Sequence, residues 1–476
     1  MILALQINEA FGSIDWIELQ LGDASPAVSK RFRPAIELLR AAGLAFQDDG
    51  LAALAMAASY LRGRGGAQDH HAATLCRFGF WQLGKFDSFY SLPRRRPGAR
   101  SPKSGTISAV LDLSIEAAMA LDHLHFATAK RLASDALYIA ETALPAAGGI
   151  AALPACLIAQ VLYEEGCLDE AEIIIRDRLP AINAEGSIEC ALRAYLVLTR
   201  IARHRMQYDF VALLLREAEA LGERREWPRL VAACAAERIL LLLQLGRMRE
   251  ARLSVECLDG YVETHRPRSG HSGSEVMRYR MLARWRVCWA EAPSSEAVTT
   301  LRLLYHHAVE KKNLYVACQL AVELAEMLAV IGESEEADAL FFHMIKSGAV
   351  AGLYQVFLEG GAGLGALLGR AYNYAETPGS TDREMLPFLG SLLSRWDARC
   401  AKRLSAEPGR RISDVLTTRE GDILAMISRG LSNKRIAQSL KISPETVKSH
   451  VKRVFLKLGV GTRMEAVSQA KSLGLL

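Results

Sequence analysis

The sequence predicts an all-α protein in two parts, a solenoid of stacked helical hairpins followed by a C-terminal unit of four short helices. Three observations lead there. The signature Gly-x-x-x-x-Ala follows an apolar run at Gly166 and Ala171, at Gly246 and Ala251, and at Gly332 and Ala337. Looser versions put further turns near positions 84, 124, 206 and 292, a spacing of about 40 residues, in the range of helical-repeat arrays. Between the turns, apolar residues fall at helical spacing, as in Ala317, Leu320, Ala321, Leu324 and Leu328, and positions 416–476 carry three separate helix-start signals.

Each repeat is read as one hairpin: the glycine ends a helix, the alanine lets the next pack closely, and the remaining apolar face is covered by the neighbouring hairpin. Turns near 84, 124, 166, 206, 246, 292 and 332 give about seven hairpins. Two breaker-rich segments, 93–105 and 265–274, are predicted as long loops. Positions 142–163 carry no charge, but Pro145, Pro154 and the Gly148-Gly149 pair make them a loop leading into a buried helix rather than a membrane span. Nine cysteines are scattered without a C-x-x-C pair, which argues for reduced thiols packed as small hydrophobes and against disulfides or zinc. The amino-terminal residues lack a basic, cleavable leader pattern, so the expected location is the cytoplasm.

In the C-terminal unit, Thr417 with Glu420 and Thr462 with Glu465 form capping-box patterns, and Ser443-Pro444-Glu445 combines an N-cap hydroxyl, a proline at the first helical position and an acidic first turn. Ile423, Met426 and Ile427 make the inner face of a first helix ending at Gly430, and a short basic helix runs from Lys434 to Leu440. In the helix after Ser443, residues Val447, Val451, Val454, Phe455 and Leu458 form one apolar stripe, with Lys448, Ser449, Lys452 and Arg453 opposite or beside it. One dry face and one cationic, hydrogen-bonding face suit the major groove. Charge is partitioned accordingly. Twelve basic against five acidic residues in 411–476 give +7, and the remainder of the chain carries −2 of the overall +5.

The motifs Leu416-Thr417-x-Arg419-Glu420, Gly430-Leu431-Ser432-Asn433-Lys434-x-Ile436-Ala437, Ser443-x-x-Thr446-Val447-Lys448-x-His450-Val451 and Lys457-Leu458-Gly459-Val460 resemble the LuxR-type (FixJ/NarL/GerE) helix-turn-helix. The resemblance places Lys448, Ser449 and Lys452 toward base edges. Asn433, Lys434, Thr446, His450 and Arg453, at helix starts or flanks, are expected to contact the DNA backbone. It further implies a homodimer on a two-fold related promoter site, through a helix over 462–473 with Ala466, Val467 and Ala470.

Upstream, Leu162-Tyr163-Glu164-x-Gly166-x-Leu168-Asp169-Glu170-Ala171 and Leu353-Tyr354-x-x-Phe357-Leu358-x-Gly360 are similar to the tetratricopeptide-like region of MalT-type large LuxR regulators. The expected domains are a sensor or interaction solenoid over 1–374, a connection with one helix over 375–411, and a DNA-binding domain over 412–476. Those large regulators begin with an ATPase domain, whose phosphate loop G-x-x-x-x-G-K-[ST] does not occur here; either the chain is a shortened member or that activity lies on another protein. The run from Gly361 to Gly365 has no lysine and Leu-rich flanks, so it is not read as a nucleotide site. His70-His71 and His306-His307 are adjacent pairs that point about 100° apart on a helix and are read as structural or solvated, and the segment around His271 and Ser272 lacks the nucleophile-elbow pattern.

No catalysis, cofactor, metal or membrane is therefore expected. The expected partners are double-stranded promoter DNA, RNA polymerase, and a small-molecule inducer or regulatory protein on the solenoid. The alternative is an interaction scaffold that the helix-turn-helix tethers to DNA.

Overall fold

Residues in the left-handed region end the first helix of six hairpins: Gly84 (φ 64°), Leu124 (63°), Gly166 (86°), Met206 (60°), Gly246 (71°) and Gly332 (92°). At Gly166 the amide donates to Tyr163 O (3.0 Å) and that of Cys167 to Leu162 O (2.8 Å), the paired bonds that terminate a helix on a left-handed residue. Leu124 and Met206 adopt the same conformation despite their β-carbons, a strain of about 1–2 kcal/mol each, and this is why the glycine signature is missing there. The turn at 292 differs. It passes through Pro293, and Ser294 Oγ accepts from the Ala297 amide (3.3 Å) to cap the next helix.

The computed structural model describes residues 7–23, 25–62, 69–92, 102–143, 148–265, 271–377, 382–406, 418–440, 442–458, 463, 466 and 467. Among them every regular element is helical. Helices α1 (Ile7–Gly22), α2 (Pro26–Phe46) and α3 (Gly50–Ala58) precede seven hairpins. These are α4 (Asp69–Gln82) with α5 (Phe86–Ser91), α6 (Pro102–Asp122) with α7 (Phe126–Ala143), and α8 (Gly148–Glu165) with α9 (Leu168–Arg176), followed by the short α10 (Leu179–Glu185). Then come α11 (Ile188–His204) with α12 (Tyr208–Arg224), α13 (Pro228–Gln244) with α14 (Met248–His265), α15 (His271–Glu291) with α16 (Ser295–Glu310), and α17 (Leu314–Val330) with α18 (Ser334–Ala351). The short α19 (Gln355–Leu358) follows. No described helix is long and apolar enough to cross a membrane.

Helices occupy the last residues of both predicted loops, and positions 93–101 and 266–270 lie outside the described residues. Pro102 opens α6, because a proline at the first helical position gives up an amide that would be unpaired anyway. His271 opens α15, whose serines fall in the first turn, where amides lack helical partners. The uncharged stretch yields α8, with Pro154 buried inside the helix.

Polar ties repeat at the hairpin period. Thr74 and Arg77 reach Asp112 (3.0 and 3.1 Å), Trp81 Nε1 donates to Asp122 (3.0 Å), Lys130 pairs with Glu165 (2.7 Å), Arg200 with Glu237 (3.0 Å) and Arg286 with Glu323 (2.6 Å). Their separations of 35 to 41 residues show that one hairpin repeatedly grips the next. Long-range bonds then close the superhelix on itself. Trp227 Nε1 donates to Phe46 O (3.1 Å), Arg229 pairs with Asp48 (2.8 Å), and the buried Glu164 accepts from the Tyr315 hydroxyl and the Val356 amide (3.1 Å), while its own carbonyl accepts from the Tyr354 amide (2.8 Å).

The chain divides into two compact units, Met1–Gly363 and Leu364–Leu476. The second begins with α20 (Leu364–Glu376) and α21 (Leu386–Ala406), and Leu389, Leu392 and Trp396 of α21 are buried, with Leu386 and Leu393 half-buried. The breaker-rich stretch 407–410 lies outside the described residues.

Candidate functional site

The C-terminal helices are α22 (Thr418–Ser428), α23 (Asn433–Leu440) and α24 (Pro444–Leu458). Ile423, Ile427, Ile436, Ala437, Val447 and Val451 form their common core, with Met426, Leu431, Phe455 and Val467 against it. Gly430 (φ 77°) stops α22, its amide donating to Ile427 O (2.9 Å) and that of Leu431 to Met426 O (3.2 Å). Ser443 Oγ accepts from the Thr446 amide (3.1 Å), so the predicted cap with Pro444 behind it is formed. The two helices across this turn therefore have a fixed angle, and α24 presents its non-core side outward.

The residues expected to meet DNA fall into three groups. Lys434, Thr446 and Lys448 are exposed on the side away from the core, and the Thr446 hydroxyl lies 2.8 Å from Ser443 Oγ. Asn433 and His450 are half-buried. Asn433 Oδ1 accepts from Arg463 Nη1 (3.2 Å), whose other nitrogen donates to Leu431 O (2.5 Å), while His450 Nδ1 has no hydrogen-bond partner. Ser449, Lys452 and Arg453 are carried by α24, but their side chains lie outside the described residues. So do Thr417, Gly459, Thr462 and Ala470. In the segment expected to pair two copies, Ala466 is fully buried and Val467 is half-buried against the core above.

A lysine that contacts phosphate acts through its charge and carries no sequence information. Lys434→Ala should therefore weaken binding to all duplexes by one factor and lower the slope of log affinity against log salt by about one unit. A salt titration with an unchanged slope would remove Lys434 from the interface.

The first unit holds a cavity of about 790 Å³ that the sequence did not disclose. Its wall is the inner face of α11, α13, α15 and α17, completed by residues of α3 to α6, α8 and α16 and by those after α18. Six arginines and seven carboxylates line it beside Trp81, Trp285, Trp289 and Tyr279. Burial pushes the Glu189 and Glu237 carboxyls up, but the arginines override it: Arg229 and Arg193 hold Glu189 at about 2, and Arg203, Arg200 and Arg286 do the same for Glu237. Next to this wall, burial lifts Glu164 to about 8, and Asp122, also by burial, to about 6. The available signal was Arg193, Arg200 and Arg203 on one face of an otherwise apolar helix, and the lone Glu237 in the apolar run of α13. Charges at such positions need partners.

The motifs set aside on sequence grounds have ordinary structural roles. His71 Nδ1 lies 2.8 Å from Ser108 Oγ, and burial lowers its pKa to about 4. The Gly361 amide donates to Glu326 (2.7 Å), and a β-carbon at Gly365 would lie 2.7 Å from Trp396 Nε1, so that run serves close packing. No cluster of three or more His, Cys, Asp or Glu among the described residues is arranged to hold a metal.

A helix-turn-helix with a dry face and an outward lysine face, joined to a helical repeat, defines the class of DNA-binding regulators. Residues 414–470 match the family of bacterial regulatory proteins, luxR family. The HTH-type transcriptional regulator MalT of Vibrio campbellii is 26% identical over 328 residues, covering 66% of this chain and 35% of that protein. MalT of Vibrio cholerae is 25% identical over 335 residues with the same coverage, and a putative HTH-type transcriptional regulator of Mycobacterium bovis is 44% identical over 59 residues, 12% of this chain and 7% of that protein. The chain thus spans about a third of the length of the MalT proteins it matches. Residues 414–470 thus form a LuxR-type helix-turn-helix domain, and the helical region ahead of it is similar to that of the MalT proteins.

Proposed function

We propose that the protein is a cytoplasmic bacterial transcription regulator, in which residues 1–374 sense a signal, 375–411 connect, and 412–476 bind promoter DNA as a dimer on a two-fold related site. The observation that carries this reading is the register of α24. Val447, Val451 and Val454 are buried while Lys448 is exposed, and in the sequence Ser449 and Lys452 fall off that apolar stripe. Lys448, Ser449 and Lys452 read bases; Asn433, Lys434, Thr446, His450 and Arg453 set position on the backbone. RNA polymerase is the partner through which a promoter-bound regulator acts.

The sensor role rests on the cavity, whose size is that of a small-ligand site. A ligand shifts the balance between two arrangements only if it binds one better. The Glu-Pro-Gly stretch at 407–409 gives the chain a hinge composition, so the DNA-binding domain is free to be withheld or released. An isolated fragment starting at residue 405 should accordingly bind DNA at least as tightly as the full chain without inducer. Clearly tighter binding by the full chain would exclude withholding, and the repeat would then act by holding the dimer together.

A further inference from the structure

The chemistry of the cavity wall is two-signed. Arg200 pairs with Glu237 and Arg286 with Glu323 from one inner helix to the next, and Arg278 pairs with Glu275 along α15. These groups are not all sealed. The Arg200, Arg278 and Arg286 side chains keep 14–17% of their surface open, and those of Glu275, Glu323 and Glu359 keep 20–27%. Between them stand the indoles of Trp81, Trp285 and Trp289 and the leucines of α11 and α13.

Such a wall discriminates by charge type. The carboxylates and arginines nearly cancel, so a ligand of net charge would leave an uncompensated charge in a partly dehydrated space, where Coulomb interactions are several times stronger than in water. A neutral ligand would have to compete with ion pairs already made. A molecule that carries one ammonium and one carboxylate on an apolar body adds no net charge and replaces the pairs it displaces in kind: its carboxylate can join a guanidinium, its ammonium a glutamate, and its body the indoles. The volume exceeds what one free amino acid needs and lies within the range of about 300–1,000 Å³ typical of drug-sized ligands.

We propose that the cavity binds a short peptide with free termini and an aromatic or aliphatic side chain. This rests on the reading of the repeat as the sensor. It assigns Arg278 to the peptide carboxylate, because its partner Glu275 sits one turn away on its own helix and loses no contact between helices if the arginine turns to a ligand.

The test uses the full chain and tryptophan fluorescence with calorimetry. The probes are Leu-Phe, Phe-Leu and Leu-Leu-Phe, their N-acetylated and C-amidated forms, a dicarboxylate (glutarate) and a neutral trisaccharide. At least one free-terminus peptide should bind and perturb the indole emission, and blocking either end should weaken it by about tenfold or more. Arg278→Met, checked for unchanged helicity, should bind the free and C-amidated forms alike. Equal affinity for blocked and free peptides overturns the proposal, as does binding of glutarate or the trisaccharide in place of peptides, or no binding of any free peptide. DNA binding by the fragment from residue 405 is a separate readout, so loss of the peptide proposal leaves the DNA-binding reading intact.

Discussion

Glu237→Ala should destabilise the first unit by about 3–5 kcal/mol, the cost of removing one partner from a buried ion pair. The carboxylate is 7% exposed and pairs with both Arg200 and Arg203, one of which is itself almost fully covered. Truncation leaves two guanidiniums facing each other in the wall, with Glu359 as the remaining shared acceptor. The same wall makes stability fall in acid. Glu189 and Glu237 are held at about 2 against an ordinary value of 4.5, so their stabilisation is complete above pH 4.5 and is lost as the pH falls toward 2. Urea unfolding followed by circular dichroism at pH 7 and pH 3 measures both effects. The variant should lose stability at pH 7 and show a shallower decline between the two pH values than the parent. A variant within 1 kcal/mol of the parent at pH 7 would mean that the wall is solvated and the ion pairs are incidental.

Glu164→Ala and Glu164→Gln should behave very differently from one another. The alanine leaves the Tyr315 hydroxyl and the Val356 amide without their acceptor where α8 meets α17 and α19, a loss of about 2–4 kcal/mol for two orphaned donors. Glutamine keeps a carbonyl for Val356 and an amide for the tyrosine oxygen. Burial lifts the parent carboxyl to about 8 from 4.5, so it takes up a proton on folding. Its stabilisation is complete below pH 4.5 and disappears as the pH rises through 8. Glu164→Gln should thus gain on the parent by on the order of 3 kcal/mol between pH 5.5 and pH 8.5. If the parent gained stability over that interval relative to the glutamine variant, the carboxyl would be ionised at neutral pH.

The hairpins were legible because a turn is a local event. Gly166, Gly246 and Gly332 announce it by composition, and even Leu124 and Met206 sit where the spacing puts them. The core of the helix-turn-helix was legible for the same reason, since Ile423, Ile427, Val447 and Val451 lie within a few turns of one another. The cavity was not. Arg200, Glu237, Arg286 and Glu323 are each one charge on a different helix, and they become a wall only when four hairpins stack and the superhelix closes through Glu164 and Arg229.

The proposed base reading by α24 is tested most directly at Lys452. A duplex selected from random DNA by the protein itself serves as cognate site, and a scrambled duplex as control. Lys452→Ala should cost about 1–3 kcal/mol on the cognate duplex, relax the preference at one base pair, and leave the scrambled duplex nearly unaffected. An equal fall in affinity for both duplexes would contradict base reading by this helix.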